Sequence, residues 1–244
     1  RNYGIFIGVA NFKGGNMKTV RKIIKLVATA ALFIGVSANA LTEGKDYVKL
    51  ERVIPNAKNT VIKVFSYDCI FCYKFDQAVT IPVMSKLPDM KFIPYHIATK
   101  GIYGAYGSQV LAVAIAEDEK NGVDLLSNNS TFKKAKFALY GAYHDKGERW
   151  GADAKVQANV DAFLKTALDA MSMSKAEFEE KLKDEKVKEI LSTWGMDTAG
   201  DAYMVGKVQG VPAFVVDGKY LIQTNSITGI DSMVNTIKEL RKLD

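Results

Sequence analysis

The run Val61-Ile62-Lys63-Val64-Phe65-Ser66-Tyr67 is dense in β-branched and aromatic residues and is bounded upstream by Asn56-Ala57-Lys58-Asn59, a pattern that predicts a strand. Asp68 then offers an N-cap carboxylate, and the stretch from Cys69 to about Met84 predicts a helix kinked near Pro82. Residues 92–97 predict a second strand, and Pro94 argues that one of its sides is unpaired. From about 102 to 194 the apolar spacing turns helical, with candidate helices at 109–119, 132–143, 156–171 and 174–194. The last opens with Ser174-Lys175-Ala176-Glu177, a capping-box pattern, and its many charges predict a solvated outer face. A helix near 197–207 precedes the segment 212–216, the turn pair Asp217-Gly218 and the segment 219–222, which together predict a hairpin. Apolar residues recur at helical spacing from Ile230 to Leu240. The order is one strand, a β-α-β unit, a block of helices and a closing β-β-α.

The 244 residues suffice for one large domain or two small ones, and 48% hydrophobic with 25% charged residues is an ordinary globular composition. A formal charge of +6 invites a nucleic-acid or anionic-membrane reading until the charge is located. Residues 1–40 hold six of the 33 basic residues and no acidic one, which leaves 27 basic against 27 acidic in the remainder. Four of the six fall between Met17 and Lys25. The uncharged run LVATAALFIGV follows, and then Ser37-Ala38-Asn39-Ala40. A basic segment, a short apolar segment and a small-x-small site describe a secretory signal peptide over 17–40, with Leu41 as the mature start. The apolar run is shorter than the roughly 20 residues that span a bilayer. Residues 1–16 precede Met17 and read as an upstream stub outside the native protein. With the excess charge confined to this end, nothing in the mature chain argues for nucleic acid.

Export changes the meaning of the two cysteines, Cys69 and Cys72. A pair three residues apart closes almost no loop and so adds little stability. A zinc site needs four ligands, and the only other soft ones, His96 and His144, are too far apart for a second pair. Redox chemistry remains. Cys69 falls in the first turn of a helix, where free backbone N–H groups and the macrodipole favour a thiolate. Cys72 lies on the same face one turn deeper, placed to attack a mixed disulfide formed at Cys69.

Gly44-Lys45-Asp46-Tyr47, Phe65-Ser66, Cys69-Ile70-Phe71-Cys72-Tyr73-Lys74-Phe75, Tyr95-His96, Gly210-Val211-Pro212-Ala213 and Asp217-Gly218-Lys219-Tyr220 follow one another through nearly all of residues 41–244. With these landmarks the chain resembles the DsbA-type periplasmic thiol–disulfide oxidoreductases, α/β proteins with a thioredoxin fold interrupted by an all-helical domain. The resemblance implies a first thioredoxin part at 41–100, a helical insertion at 101–194 and a second thioredoxin part at 195–244. It implies Cys69 as the attacking and Cys72 as the resolving sulfur, Pro212 as a cis-proline packed against them, and Val211 as the residue that offers its backbone to a substrate strand. It further implies a monomeric periplasmic oxidase without metal or cofactor beyond the Cys69–Cys72 disulfide. Its clients would be exported proteins with free cysteines. Its reoxidant would be a DsbB- or DsbI-like membrane protein that passes electrons to quinone.

Three departures from the family pattern bear on the chemistry. The dipeptide between the cysteines is Ile70-Phe71, so the Pro-His of the best-known members, and the histidine thought to stabilise the thiolate, are absent. Lys63 stands where the family often has a buried acid, and Pro94 where that acid's basic partner would be. An ammonium at Lys63 would replace part of the missing histidine's electrostatic effect; the alternative is that Lys63 snorkels to solvent and does nothing. Other dipeptides also occur in DsbL-like members dedicated to one client, which implies a narrow client range.

The remaining candidates read as structural. His96 sits among apolar strand residues as a core histidine, and His144, between Tyr143 and Asp145, reads as a solvated helix end. Met171 and Met173 read as gap-filling core, and Tyr103, Tyr106, Trp150 and Trp194 as packing of the helical block. The rival functions are a disulfide isomerase or reductase of the same fold and, in another class, a CxxC metal-delivery module. A DsbC-type isomerase also carries a dimerisation domain, for which no extra segment exists. Copper carriers on this fold usually add a histidine ligand and a wider cysteine spacing, both lacking here.

Overall fold

The computed structural model describes residues 40–243, so the stub expected at 1–16 and all but the last residue of the signal peptide expected at 17–40 lie outside the described residues. Strand β1 (Tyr47–Lys49) is followed by β2 (Thr60–Phe65), helices α1 (Ile70–Ala78) and α2 (Thr80–Ser85), and β3 (Lys91–His96). A helical block comprises α3 (Gly104–Lys120), α4 (Thr131–Tyr140), α5 (Gln157–Met171), α6 (Lys175–Lys181) and α7 (Glu185–Trp194). Helix α8 (Asp201–Gln209), strands β4 (Ala213–Val216) and β5 (Tyr220–Ile222), and α9 (Ile230–Leu240) complete the chain. The five strands order as β1-β5-β4-β2-β3, with β2 and β3 parallel and the other pairs antiparallel. Leu41–Asp244 forms one compact unit.

β2 is a strand because TVIKVF can bury every residue between β3 and β4, and all six positions are buried. β3 is an edge strand, which is why it tolerates Pro94: the missing N–H costs no ladder bond on the open side. The hairpin turns through Asp217 and Gly218, both at positive φ, and the Lys219 N–H closes onto the Val216 carbonyl at 3.0 Å.

Local chemistry moved several boundaries. The first helix is broken at Val79, where a kink at Pro82 was expected. Pro82 has no N–H to give the Ala78 carbonyl, so α1 ends there and Pro82 sits in the first turn of α2, where no N–H is required. The 174–194 stretch is two helices, because the Asp184 carboxylate accepts the Lys186 N–H at 2.8 Å and starts α7 afresh. The capping box Ser174–Glu177 is formed as its pattern predicts. Helix α3 begins at Gly104, earlier than the apolar spacing signals; a Cβ there would lie 2.4 Å from the Ala98 carbonyl oxygen, so only glycine fits. A π-helical turn at Gly141–Asp145 follows α4 and projects His144 towards the segment that leads to Cys69. Tyr67 in that segment packs on Phe163 at 5.2 Å and Trp150 at 6.1 Å, and its hydroxyl accepts the Tyr103 N–H at 3.1 Å. The aromatic residues of the helical block therefore hold the approach to the cysteines.

Candidate redox-active site

Two residues beyond Tyr67 the chain reaches Cys69, which is itself the N-cap of α1, in extended geometry, with its sulfur accepting the Cys72 N–H at 3.0 Å. Asp68, expected to cap, turns aside to Lys100 at 3.1 Å, because the cysteine sulfur already occupies the capping position. Cys69 and Cys72 form a disulfide with their Cα atoms 5.2 Å apart. Cys69 is 7% exposed and Cys72 is 0% exposed, so an incoming thiolate meets Cys69 first. Ile70 (39% exposed) and Phe71 (62% exposed) flank the outer sulfur, and the first turn of α1 carries no acidic residue. A thiolate at Cys69 would thus face free N–H groups and the positive end of the helix with no opposing carboxylate in that turn.

The Val211–Pro212 peptide is cis, and the Val211 carbonyl oxygen lies 3.3 Å from Cys69 Sγ. β4 begins one residue later and pairs with β2 through Val64–Ala213 and Lys63–Phe214, which brings the proline loop alongside the disulfide. A cleft of about 670 Å³ opens here, lined by Cys69, Ile70, Phe71, Lys100, Tyr203 and Val211 among others.

Lys63 does not snorkel. It is 0% exposed, and its ammonium contacts Asp76 Oδ1 at 2.5 Å and donates to the Cys72 carbonyl at 3.3 Å. Its register partner on β3 is Pro94, so that strand offers it no side-chain counter-charge. The other Asp76 oxygen meets Lys136 Nζ at 3.0 Å and accepts from the Tyr140 hydroxyl at 3.2 Å; Thr80 donates to Asp76 Oδ1 at 2.9 Å. Burial pushes the Lys63 ammonium down to about 8, against the opposing pull of Asp76. Burial alone would raise the Asp76 carboxyl, but Lys136 and Lys63 together hold it well below the usual carboxylate range. Two cations on one carboxylate leave this cluster, below the active-site turn, net positive while Lys63 is protonated.

Both histidines of the chain grip the Tyr67 peptide. His96 Nε2 accepts the Tyr67 N–H at 3.2 Å while its other nitrogen meets the Ser108 hydroxyl at 2.8 Å, and burial drives its pKa down to about 3. His144 Nε2 donates to the Tyr67 carbonyl at 3.1 Å and its ring stacks on Tyr73 at 5.8 Å. His144 is therefore half-buried at the site, and the expectation of a solvated helix end is corrected: the π-turn swings it inward. Trp194 and Tyr103 are core, and Tyr106, Met171 and Met173 pack against it.

Asp76, Lys136 and Tyr140 carry no motif that marks them in the sequence, where His144 reads only as a helix end. A signal existed for the first two. Asp76 lies four residues after Cys72 on the buried face of α1, and Lys136 lies between Phe132 and Tyr140 on the buried face of α4, so each is a charge at a core position. Among the described residues no group of three or more His, Cys, Asp or Glu side chains is placed to hold a metal ion, and no helix is long and apolar enough to cross a membrane.

Comparison with known proteins fits this geometry. The sequence model of the family described as Thioredoxin matches residues 54–236. The thiol:disulfide interchange protein DsbL of Lelliottia amnigena is 53% identical over 225 residues, which is 91% of this chain and 97% of that protein. The crystal structure of DsbL from Salmonella enterica serovar Typhimurium superposes with a TM-score of 0.77 at 55% identity, covering 84% of this chain and 98% of that one. The crystal structure of reduced DsbL superposes at 0.76 with 54% identity, covering 83% and 100%.

Proposed function

The chain belongs to the DsbA/DsbL-type thiol:disulfide oxidoreductases of the thioredoxin superfamily, and from that premise we propose that it works as an exported dithiol oxidase of the periplasm. Thiol:disulfide interchange is the family's chemistry. The observation that carries it is Cys69 Sγ at the N-cap of α1, bonded by the Cys72 N–H and open to a cleft bordered by the Val211 carbonyl. A client thiolate attacks Cys69, the S–S bond breaks, and the electron pair passes to Cys72. A second client thiol then attacks the client sulfur of the mixed disulfide, releasing Cys69 as thiolate. The helix end and the net positive Lys63–Asp76–Lys136 cluster favour that thiolate. A favoured thiolate stabilises the reduced enzyme, which makes the disulfide an oxidant.

The Val211 carbonyl and the cis-Pro212 loop would align the client strand beside Cys69. Exposed Ile70 and Phe71 would receive its apolar side chains. A DsbB- or DsbI-like membrane protein would regenerate the Cys69–Cys72 disulfide and pass the electrons to quinone. The enzyme would act as a monomer after cleavage before Leu41, with no metal or organic cofactor. Trapping the cysteines in growing cells with a thiol-reactive probe tests the direction. A mostly oxidised Cys69–Cys72 pair is the expected result, and a mostly reduced pair would favour an isomerase or reductase.

A further inference from the structure

The chain enters Cys69 through a turn: the Cys69 N–H returns to the Ser66 carbonyl at 3.2 Å, with Tyr67 and Asp68 between them. The Tyr67–Asp68 peptide is the central unit of that turn. Rotating this unit by half a circle exchanges two common turn types, so it is the soft point of any such turn. Neither Tyr67 nor Asp68 is at positive φ, and the rotated form would drive Asp68 there. Two histidines from different elements hold the turn. His96, sealed on β3, accepts the Tyr67 N–H at 3.2 Å and so holds the Ser66–Tyr67 peptide. His144, half-buried on the π-turn, donates from Nε2 to the Tyr67 carbonyl at 3.1 Å and so holds the central one. The π-turn also reaches the far side of the cysteine pair, where Asp145 accepts the Tyr73 hydroxyl at 2.7 Å and the His144 ring stacks on Tyr73 at 5.8 Å. One short segment of the helical block therefore touches the chain just before Cys69 and just after Cys72. Single π-turns are rare in helices and concentrate at functional sites.

We propose that His144 is a positioning residue of the exchange reaction: its bond to the Tyr67 carbonyl fixes the turn peptide that sets Cys69 at the N-cap of α1. The proposal rests on the dithiol-oxidase reading. A Cys69 thiolate gains from the helix end only while its sulfur stays on the first-turn N–H groups, as Cys69 Sγ does on the Cys72 N–H at 3.0 Å. Rotation of the Tyr67–Asp68 peptide would disturb that placement. It would also redirect the Asp68 carboxylate, which is paired with Lys100 at 3.1 Å and lines the client cleft beside Cys69. A carboxylate freed from Lys100 next to Cys69 opposes the thiolate. His96 cannot substitute for His144, because its bond to the Tyr67 N–H leaves the next peptide free to rotate. Burial, with Arg149, lowers the His144 pKa against the pull of the Tyr67 carbonyl, Asp68 and Asp145, so the ring is neutral near pH 7. Tyr73, Tyr140 and Tyr143 supply the rings around it. The carbonyl selects the tautomer with its hydrogen on Nε2, and that hydrogen remains in the cation. The helical block thereby governs the outer sulfur through one donated bond.

Two substitutions separate the donated bond from the packing. His144→Phe keeps a ring against Tyr73 and loses the donor, whereas His144→Gln loses the ring and keeps an amide N–H for the Tyr67 carbonyl. Thermal unfolding checks that each variant is folded, and His144→Leu, also without a donor, replaces His144→Phe if the larger ring does not pack. The readouts are the pH midpoint of Cys69 alkylation by iodoacetamide in the reduced protein and the rate at which the oxidised protein oxidises a dithiol peptide. The expected result is a midpoint about one unit higher and a rate about tenfold lower in His144→Phe, with His144→Gln within about twofold of the parent rate. Parental values in His144→Phe would overturn the proposal. Equal losses in both variants would overturn it too, because the stacked ring and not the donated bond would then be the cause. Failure of the parent protein to oxidise a dithiol peptide at all would instead overturn the dithiol-oxidase reading.

Discussion

Lys63 Nζ lies 2.5 Å from Asp76 Oδ1 with both side chains sealed from water, and Lys136 approaches the opposite oxygen of the same carboxylate. The three charges are therefore unequal in what their loss leaves behind. Asp76→Ala leaves two buried ammoniums with no counter-ion and is expected to cost about 3–5 kcal/mol. Lys63→Met leaves Asp76 paired with Lys136 and Tyr140 and removes a desolvated cation, so its expected cost is only about 1 kcal/mol. Urea unfolding of both variants at neutral pH checks the asymmetry; equal losses would mean that Lys136 does not carry the carboxylate alone. Because the folded-state pKa of Asp76 is depressed, its contribution is present above the unfolded value near 3.8 and lost as the pH falls through the folded one.

The same cluster bears on the outer sulfur. Below pH 8 Lys63 is protonated and the cluster carries one excess positive charge beneath the active-site turn. Removing that charge in Lys63→Met should raise the pH midpoint of Cys69 alkylation by iodoacetamide by on the order of one unit. Lys63→Arg, if it folds, should restore the midpoint. An unchanged midpoint in Lys63→Met would show that the buried ammonium does not reach Cys69 electrostatically.

His96 predicts an acid sensitivity that has nothing to do with the sulfurs. Its folded-state pKa is near 3 against 6.5 for the free side chain, because it is fully buried with Nε2 committed to the Tyr67 N–H. Between those values the unfolded chain binds a proton that the folded one refuses, so stability falls with decreasing pH by about 1.4 kcal/mol per unit. The window runs from about 6.5 down to about 3. Unfolding midpoints measured across it should show this slope in the parent and a flatter one in His96→Gln, which is less stable at neutral pH but no longer titrates.

The contrast between what was legible and what was not follows the range of each interaction. The strand TVIKVF, the CxxC turn and the Asp217-Gly218 hairpin were readable because backbone preference and apolar pattern decide them locally. The break at Val79 was misplaced because proline acts on the carbonyl four residues earlier, so its effect appears upstream of the ring. Asp76, Lys136 and His144 were invisible as a group because Asp76 comes from α1 while Lys136 and His144 lie sixty or more residues later, on α4 and the π-turn, and only the packed helical block brings them to the site. Asp76 and Lys136 leave one local trace, a charge on an apolar helix face, and that trace does not name the partner.

Phe71 offers the most direct control of oxidising strength. It is the second residue of α1, next but one to Cys69, and at 62% exposure it makes room for a substitution without repacking the core. Phe71→His places an imidazolium at the positive end of the helix beside the nascent thiolate, where no acidic residue of that turn competes for it. The Cys69 alkylation midpoint should fall by about one unit. One unit stabilises the reduced, thiolate form by about 1.4 kcal/mol, which is about 30 mV for a two-electron couple and about tenfold in the equilibrium with glutathione, towards the reduced protein. Because imidazole is cationic only below its own pKa, the shift should be largest under mildly acidic conditions and fade as the pH rises past about 7. Phe71→Ala separates the added charge from the lost ring: it should leave the midpoint near the parent value while weakening capture of apolar client peptides. If both variants move the midpoint equally, the ring's removal is the cause, and the charge at this position does not set the potential.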